Sequence, residues 1–81
     1  MKKREVVHIR WDDAAHQKGP IWEDDFNKHY VVSTIGMKIE EDKKYITVAM
    51  DRWEEGGSWR DVQHIPKGMI LSKKRVGWVE V

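Results

Sequence analysis

Residues 30–50 read YVVSTIGMKI (30–39), EEDKK (40–44) and YITVAM (45–50). In the first and last parts, β-branched and other apolar side chains recur at every second position, which is the period of a half-buried strand. The charged middle part is typical of a turn. The segment therefore predicts a β-hairpin, and Gly36 in its first strand predicts a bulge or a sharp bend.

The alternation in this hairpin also predicts which residues form the hydrophobic core. Residues at odd positions of the first strand and even positions of the second are expected to face inward. The predicted core residues of the hairpin are Val31, Ile35, Ile39, Ile46, Val48 and Met50.

Three more strands are predicted around the hairpin, at residues 6–11, 60–65 and 69–72, and residues 73–81 either continue the last strand or form a sixth segment. Trp11 ends the first of them and is expected in the core. Residues 66–68, Pro-Lys-Gly, predict a tight turn or a single 3₁₀ turn. Five short strands separated by turn signals indicate a mainly β fold. We expect one domain over residues 1–81, a small, strongly bent five-stranded antiparallel sheet or barrel.

The long connection at residues 12–29 interrupts this pattern. It contains Gly19-Pro20, a strong loop signal. Trp22 and Phe26, four residues apart behind acidic neighbours, predict one short helical turn. Connections of this length in small domains are more often functional than merely connective.

Composition restricts the class of protein. Fifteen basic and 14 acidic residues nearly cancel, which argues against strong non-specific nucleic-acid binding. The chain has no cysteine, so it is suited to the reducing cytoplasm and has no disulfide or thiolate metal site. No apolar run approaches the length of a membrane-spanning helix. A chain of 81 residues buries a smaller fraction of its surface than a larger domain does, so we expect marginal stability and a homo-oligomer.

The order of several short motifs resembles a known class. These motifs are Trp11-Asp12-Asp13-Ala14, Trp22-Glu23, residues 32–37 (VSTIGM), residues 45–49 (YITVA) and residues 65–70 (IPKGMI). The chain is similar in this order to a widespread class of small, uncharacterised bacteriophage-encoded proteins. The strand order also resembles that of an SH3-like or Sm-like barrel. The resemblance implies a cytoplasmic location in a host cell.

Motifs for catalysis or metal binding are weak. Asp12, Asp13 and His16 contain donor groups for a metal or acid–base site, but adjacent carboxylates after a strand are more often turn formers. The four histidines lack paired-ligand spacing, and there is neither a phosphate-binding glycine loop nor a serine nucleophile elbow. We therefore expect no enzyme activity, no cofactor and no metal.

Tryptophan is unusually frequent, at five residues in 81. Trp53, Trp59 and Arg60 flank Gly56-Gly57, and indoles with an arginine on a mobile loop can hold a planar anion. The alternative is that the two indoles are cross-strand partners that join adjacent strands.

Four more residues are candidate ligand contacts. His8 and Arg10 share one face of the first strand, which is either an anion-binding surface or simply solvated. Trp22, otherwise assigned to the core, and His16 are candidates from the long connection.

Three hypotheses follow. The first is a non-enzymatic phage protein that binds a small anionic aromatic ligand, such as a nucleotide-derived signal of host defence, as an oligomer. The second is an adaptor or inhibitor that docks on a host protein through a strand edge and tryptophans. The third is an oligonucleotide-binding barrel that uses the basic residues 2–4 and 73–75.

Overall fold

The computed structural model describes residues 2–13 and 30–81. The predicted helical turn near Trp22, and His16, lie outside these residues. The strands are β1 (Lys3–Asp12), β2 (Val31–Glu41), β3 (Tyr45–Arg52), β4 (Trp59–Pro66) and β5 (Ile70–Glu80). A 3₁₀ turn at Lys67–Met69 connects β4 to β5, which confirms the tight turn predicted there.

The five strands form one antiparallel sheet in the order β4-β3-β2-β1-β5. The prediction of a mainly β, five-stranded antiparallel sheet is therefore confirmed. The barrel alternative is not, because the edge strands β4 and β5 do not pair with each other in the described part of the chain. The sheet instead buries one face by bending over itself.

The core lies inside this bend. Val7, Ile9 and Trp11 of β1, each at most 5% exposed, form one cluster with the buried residues of β3 and β4. The residues that β3 and β4 contribute to this cluster are Ile46, Val48 and Ile65. The predicted core positions of Trp11, Ile46 and Val48 are thus confirmed.

The predicted inward face of β2 is wrong. Val31 and Ile35 are 48% and 56% exposed, whereas Thr34 on the other face is 5% exposed. Thr34 faces inward because the register pairs it with the fully buried Ile9, and cross-strand partners lie on the same face of a sheet. Its hydroxyl then accepts a hydrogen bond of 3.0 Å from the buried indole N–H of Trp11, which satisfies that donor.

Two further expectations for the hairpin need correction. Met50 is 41% exposed and lies outside the core. The irregularity in the pairing of β2 with β3 falls between Lys38 and Glu40, not at Gly36. Gly36 is required for close approach, since a Cβ there would lie 2.9 Å from the carbonyl oxygen of Ala49.

A charged cluster joins the two halves of the bent sheet. The Glu41 carboxylate at the end of β2 contacts the ammonium groups of Lys67 at 2.9 Å, Lys38 at 3.1 Å and Lys73 at 3.4 Å. Hydrogen bonds from Lys67 and Lys38 lower the pKa of Glu41 to about 2. Lys73 lies on β5 and Lys67 on the 3₁₀ turn, so the cluster connects segments that the backbone ladder leaves unpaired.

The corrected face of β2 predicts different costs for two isoleucine truncations. Ile46→Ala removes a fully buried side chain and should lower the free energy of unfolding by about 2–5 kcal/mol. Ile35→Ala removes an exposed one and should cost less than about 1 kcal/mol. Urea unfolding followed by circular dichroism measures both. Equal losses would contradict the assigned inward face.

The Glu41 cluster predicts a loss of stability in acid. Because the folded-state pKa lies below the ordinary value of 4.5, the contribution is complete above that value and is lost as the pH falls towards 2. Solvent screening of this partly exposed cluster limits it to about 1 kcal/mol. Urea unfolding of wild type and Glu41→Gln at pH 6 and pH 3 should show a smaller difference between them at pH 3. A constant difference would show that the carboxylate charge is irrelevant.

Candidate functional site

The hairpin between β3 and β4 places a tryptophan beside an arginine. Arg52 and Trp59 are cross-strand partners, and the Trp53 amide donates a 2.8 Å hydrogen bond to the carbonyl of Ser58 to close the loop. Gly56 and Gly57 have φ values of +82° and +69°, which an L side chain rarely adopts. The loop therefore turns tightly enough to bring the Arg52 guanidinium to 5.6 Å from the centre of the Trp59 ring.

A second arginine reaches the same indole from the opposite end of the chain. The Arg4 guanidinium lies 5.5 Å from the centre of the Trp59 ring and donates a 3.0 Å hydrogen bond to the carbonyl of Ile39. That bond fixes a long side chain that would otherwise be free to rotate. The Arg4 Nε is buried and has no hydrogen-bond partner. One planar donor group is thus held in place with part of its hydrogen-bonding capacity unused.

A cavity of about 270 Å³ opens at this arginine–tryptophan cluster. We call it the Trp59 cavity; its lining residues are Lys2, Arg4, Arg52, Gly57, Trp59 and Val81. Within residues 2–13 and 30–81, no carboxylate lies within 4.0 Å of the charged groups of Lys2, Arg4 or Arg52. The cavity therefore combines an aromatic surface with three cationic side chains that have no acidic partner there, a composition suited to a planar anion.

Gly57 is in contact with one of these cations. A Cβ at this position would lie 2.7 Å from Arg52 Nη2, whereas a Cβ at Gly56 would meet open space. The Arg52 guanidinium therefore packs over the bare backbone of Gly57. This contact fixes one wall of the Trp59 cavity.

The residues predicted around the glycine loop separate into two groups. Trp59 lines the cavity, but Arg60 lies over Trp53 at 5.2 Å, and Trp53 is 54% exposed. The alternative prediction of a direct Trp53–Trp59 cross-strand pair is wrong, because Trp59 is opposite Arg52. The cross-strand aromatic contact is instead between an indole and a guanidinium.

His8 and Arg10, predicted as additional ligand contacts, lie elsewhere on β1. His8 Nε2 is 3.1 Å from Ser33 Oγ, and the Arg10 side chain is exposed. Neither residue lines the Trp59 cavity. Their neighbours on β5 are Lys74, opposite His8, and Ser72, opposite Arg10. His16 and Trp22, the two candidates from the long connection, lie outside the described residues.

Arg52 was not among the predicted site residues, and Lys2 and Arg4 were predicted only as contacts of an oligonucleotide-binding barrel. The register of the hairpin contains the signal for Arg52, since closing the loop around Gly56-Gly57 places it opposite Trp59. Arg4 has no such local signal. It reaches Trp59 only because the bend of the sheet brings β1 close to β4, which are distant in the strand order.

A larger cavity, of about 400 Å³, has the opposite charge. Glu40 and Asp42 line it together with Tyr45, Thr47 and His64. Backbone N–H groups of Tyr45 and Lys44 bond the Asp42 carboxylate and lower its pKa, so the carboxylate stays ionised at neutral pH. This cavity repels anions, and the described residues contain no cluster of His, Cys, Asp or Glu that could hold a metal.

Comparison with known proteins identifies no relative. No family model matches the chain, and neither curated proteins nor solved structures give a significant match. Within the described residues, no helix is long and apolar enough to span a membrane. Any functional conclusion therefore depends on the geometry of the site.

The two glycines of the loop give a matched test of the Trp59 cavity. Gly56→Ala and Gly57→Ala should each cost about 1–2 kcal/mol of stability, because both place a Cβ at positive φ. Only Gly57→Ala also displaces the Arg52 guanidinium. Its Trp59 indole N–H resonance in a ¹H–¹⁵N spectrum should shift, and that of Gly56→Ala should not. Equal shifts in both variants would contradict the Arg52–Gly57 contact.

Proposed function

We propose that this chain is a non-enzymatic binding protein that holds a small, planar, nucleotide-like anion in the Trp59 cavity. One observation supports this most directly. Two guanidinium groups lie within 5.6 Å of the centre of one indole ring, and no described carboxylate neutralises them. Positive charges left unpaired beside an aromatic ring favour a ligand with both negative charge and a flat surface.

The ligand chemistry follows from the side chains that line the cavity. A base stacks on the indole of Trp59 or on the planar guanidinium of an arginine, and each stacked base contributes about 1–3 kcal/mol. A phosphate accepts paired hydrogen bonds from the fork of the Arg52 guanidinium. Lys2 adds a third, more flexible cation at the rim.

A reaction centre is not part of the proposal. The described lining has no acidic side chain and no histidine, serine or cysteine that would act as a base or nucleophile. Its three cations and one indole bind and orient a ligand, which is the chemistry of sequestration.

The biological setting is proposed from the sequence resemblance to phage proteins. In that setting, the ligand is a nucleotide-derived signal of host defence, and an oligomer in the cytoplasm sequesters it. We also propose an SH3-like or Sm-like fold. Supporting features are the antiparallel order β4-β3-β2-β1-β5, the irregular pairing within β2, and the 3₁₀ turn immediately before the last strand.

A second candidate function is docking on a host protein. The edge strand β5 has three exposed apolar side chains, Leu71, Val76 and Trp78, each more than half accessible. An edge strand can accept a partner strand by sheet addition, with apolar side chains as anchors. A Trp78→Ala/Leu71→Ala variant that loses a host partner but retains nucleotide binding would favour this alternative.

The primary proposal predicts that ligand binding depends on one of the five tryptophans. Titration with a panel of mono- and cyclic nucleotides should quench intrinsic fluorescence. Trp59→Ala should weaken the best ligand by roughly 5- to 150-fold, the equivalent of one lost stacking contact.

Trp53→Ala is the matched control, since Trp53 also stacks on an arginine but lies outside the cavity lining. It should leave the affinity within about twofold of wild type. Absence of quenching by every nucleotide, or equal losses in the two variants, would refute binding at Trp59.

A further inference from the structure

A row of side chains on β1, polar or cationic except at Val6, begins at the Trp59 cavity. Side chains two apart in a strand project to the same side, about 6.6 Å from each other. Arg4 lines the cavity together with Lys2, which immediately precedes β1. The next alternate position is the apolar Val6, and His8 and Arg10 follow it. The intervening odd positions face the core, as the full burial of Val7 and Ile9 shows.

The neighbouring strands extend this row sideways. Lys74 of β5 is opposite His8, and Ser72 of β5 and Ser33 of β2 are both opposite Arg10. A cation and two hydroxyl groups therefore flank the His8–Arg10 stretch. Within residues 2–13 and 30–81, no carboxylate lies within 4.0 Å of the charged groups of Arg10 or Lys74. Asp12, at the next alternate position, ends the row with a negative charge.

The spacing of the row limits its ligand. Donors separated by about 6.6 Å along a strand match successive phosphates of an extended nucleotide chain better than the compact phosphates of one nucleotide. A mononucleotide in the Trp59 cavity would leave Arg10 and Lys74 without a partner. His8, Ser33 and Ser72 add hydrogen-bonding groups of the kind that commonly contact phosphates and sugars.

We propose that the ligand is a short single-stranded oligonucleotide, with one base at Trp59 and its phosphates along His8, Arg10 and Lys74. This inference rests on the proposed function of the Trp59 cavity and specifies its ligand class. The near-neutral net charge of the chain is compatible with this ligand, because the phosphate-binding cations Arg10 and Lys74 lie together on the adjacent strands β1 and β5. The proposal does not require the protein to bind long nucleic acid that has no free end to enter the Trp59 cavity.

A length series tests the proposal. Affinities of 5′-phosphorylated thymidine oligomers of one, two, four and eight nucleotides are measured by tryptophan quenching. Wild type should gain roughly 10- to 100-fold from one to four nucleotides and little from four to eight. The dependence of affinity on salt should also be steeper for the tetramer than for the monomer.

Variants then separate the row from the cavity. Arg10→Ala/Lys74→Ala should abolish the gain with length but leave mononucleotide affinity unchanged. Lys43→Ala/Lys44→Ala removes the same charge from the exposed turn between β2 and β3 and should keep the gain. Circular dichroism confirms that each variant is folded.

Two results would overturn the inference in different ways. Length-independent binding that still requires Trp59 refutes the oligonucleotide and leaves the nucleotide cavity standing. Tetramer binding that requires Arg10 and Lys74 but is unaffected by Trp59→Ala refutes the cavity, and with it the proposed function. Tripolyphosphate, which has charge but no base, should bind at least tenfold more weakly than the tetramer. Equal affinity would show that the site recognises only negative charge, and it would contradict a base at Trp59.

Discussion

A single sheet can shield an apolar face only by folding that face onto itself, and the whole structure depends on this constraint. Val7, Ile9 and Trp11 of β1 meet Ile46, Val48 and Ile65 of β3 and β4 across the bend. β1 is hydrogen-bonded along both of its edges, to β2 and to β5, so it holds the bend in place. The core is small, and eleven large apolar side chains of the described chain remain exposed. Contacts at the margins of the bend therefore matter more than they would in a larger domain.

Those marginal contacts are polar, and they differ at the two ends of the bent sheet. Near the 3₁₀ turn, the ammonium groups of three lysines surround the carboxylate of Glu41. Near the β3–β4 loop, Arg4 and Arg52 meet an indole and no described carboxylate. The first arrangement is a satisfied structural cluster. The second leaves charge uncompensated, which costs stability unless a ligand supplies the opposite charge.

The strands, their order along the chain and the turn before β5 were predictable from the sequence because each has a local signal. The failures share one cause. The alternation in β2 correctly shows a strand, but it does not show which side is inward, and the more apolar side with Val31 and Ile35 proved to be outside. The inward side of β2 follows from its register with β1, which pairs Thr34 with the buried Ile9, a residue distant in sequence. The site shows the same division: Trp59 was predictable from the glycine loop, whereas Arg4 was not.

The position of Arg4 also explains why a fold-forming residue and a ligand-binding residue need not be distinct in so small a domain. Its guanidinium donates a hydrogen bond to the backbone carbonyl of Ile39, which lies on β2 at the point where the pairing with β3 is irregular. The same group faces Trp59 and retains a buried, unpartnered Nε. Removing Arg4 would therefore disturb the bend and the cavity together, and its effect on binding could not be separated from its effect on folding. Arg52, at the end of β3, and Gly57, in the loop that follows, lie outside the core cluster. They separate the two roles, and the chemistry of the Trp59 cavity is best resolved through them.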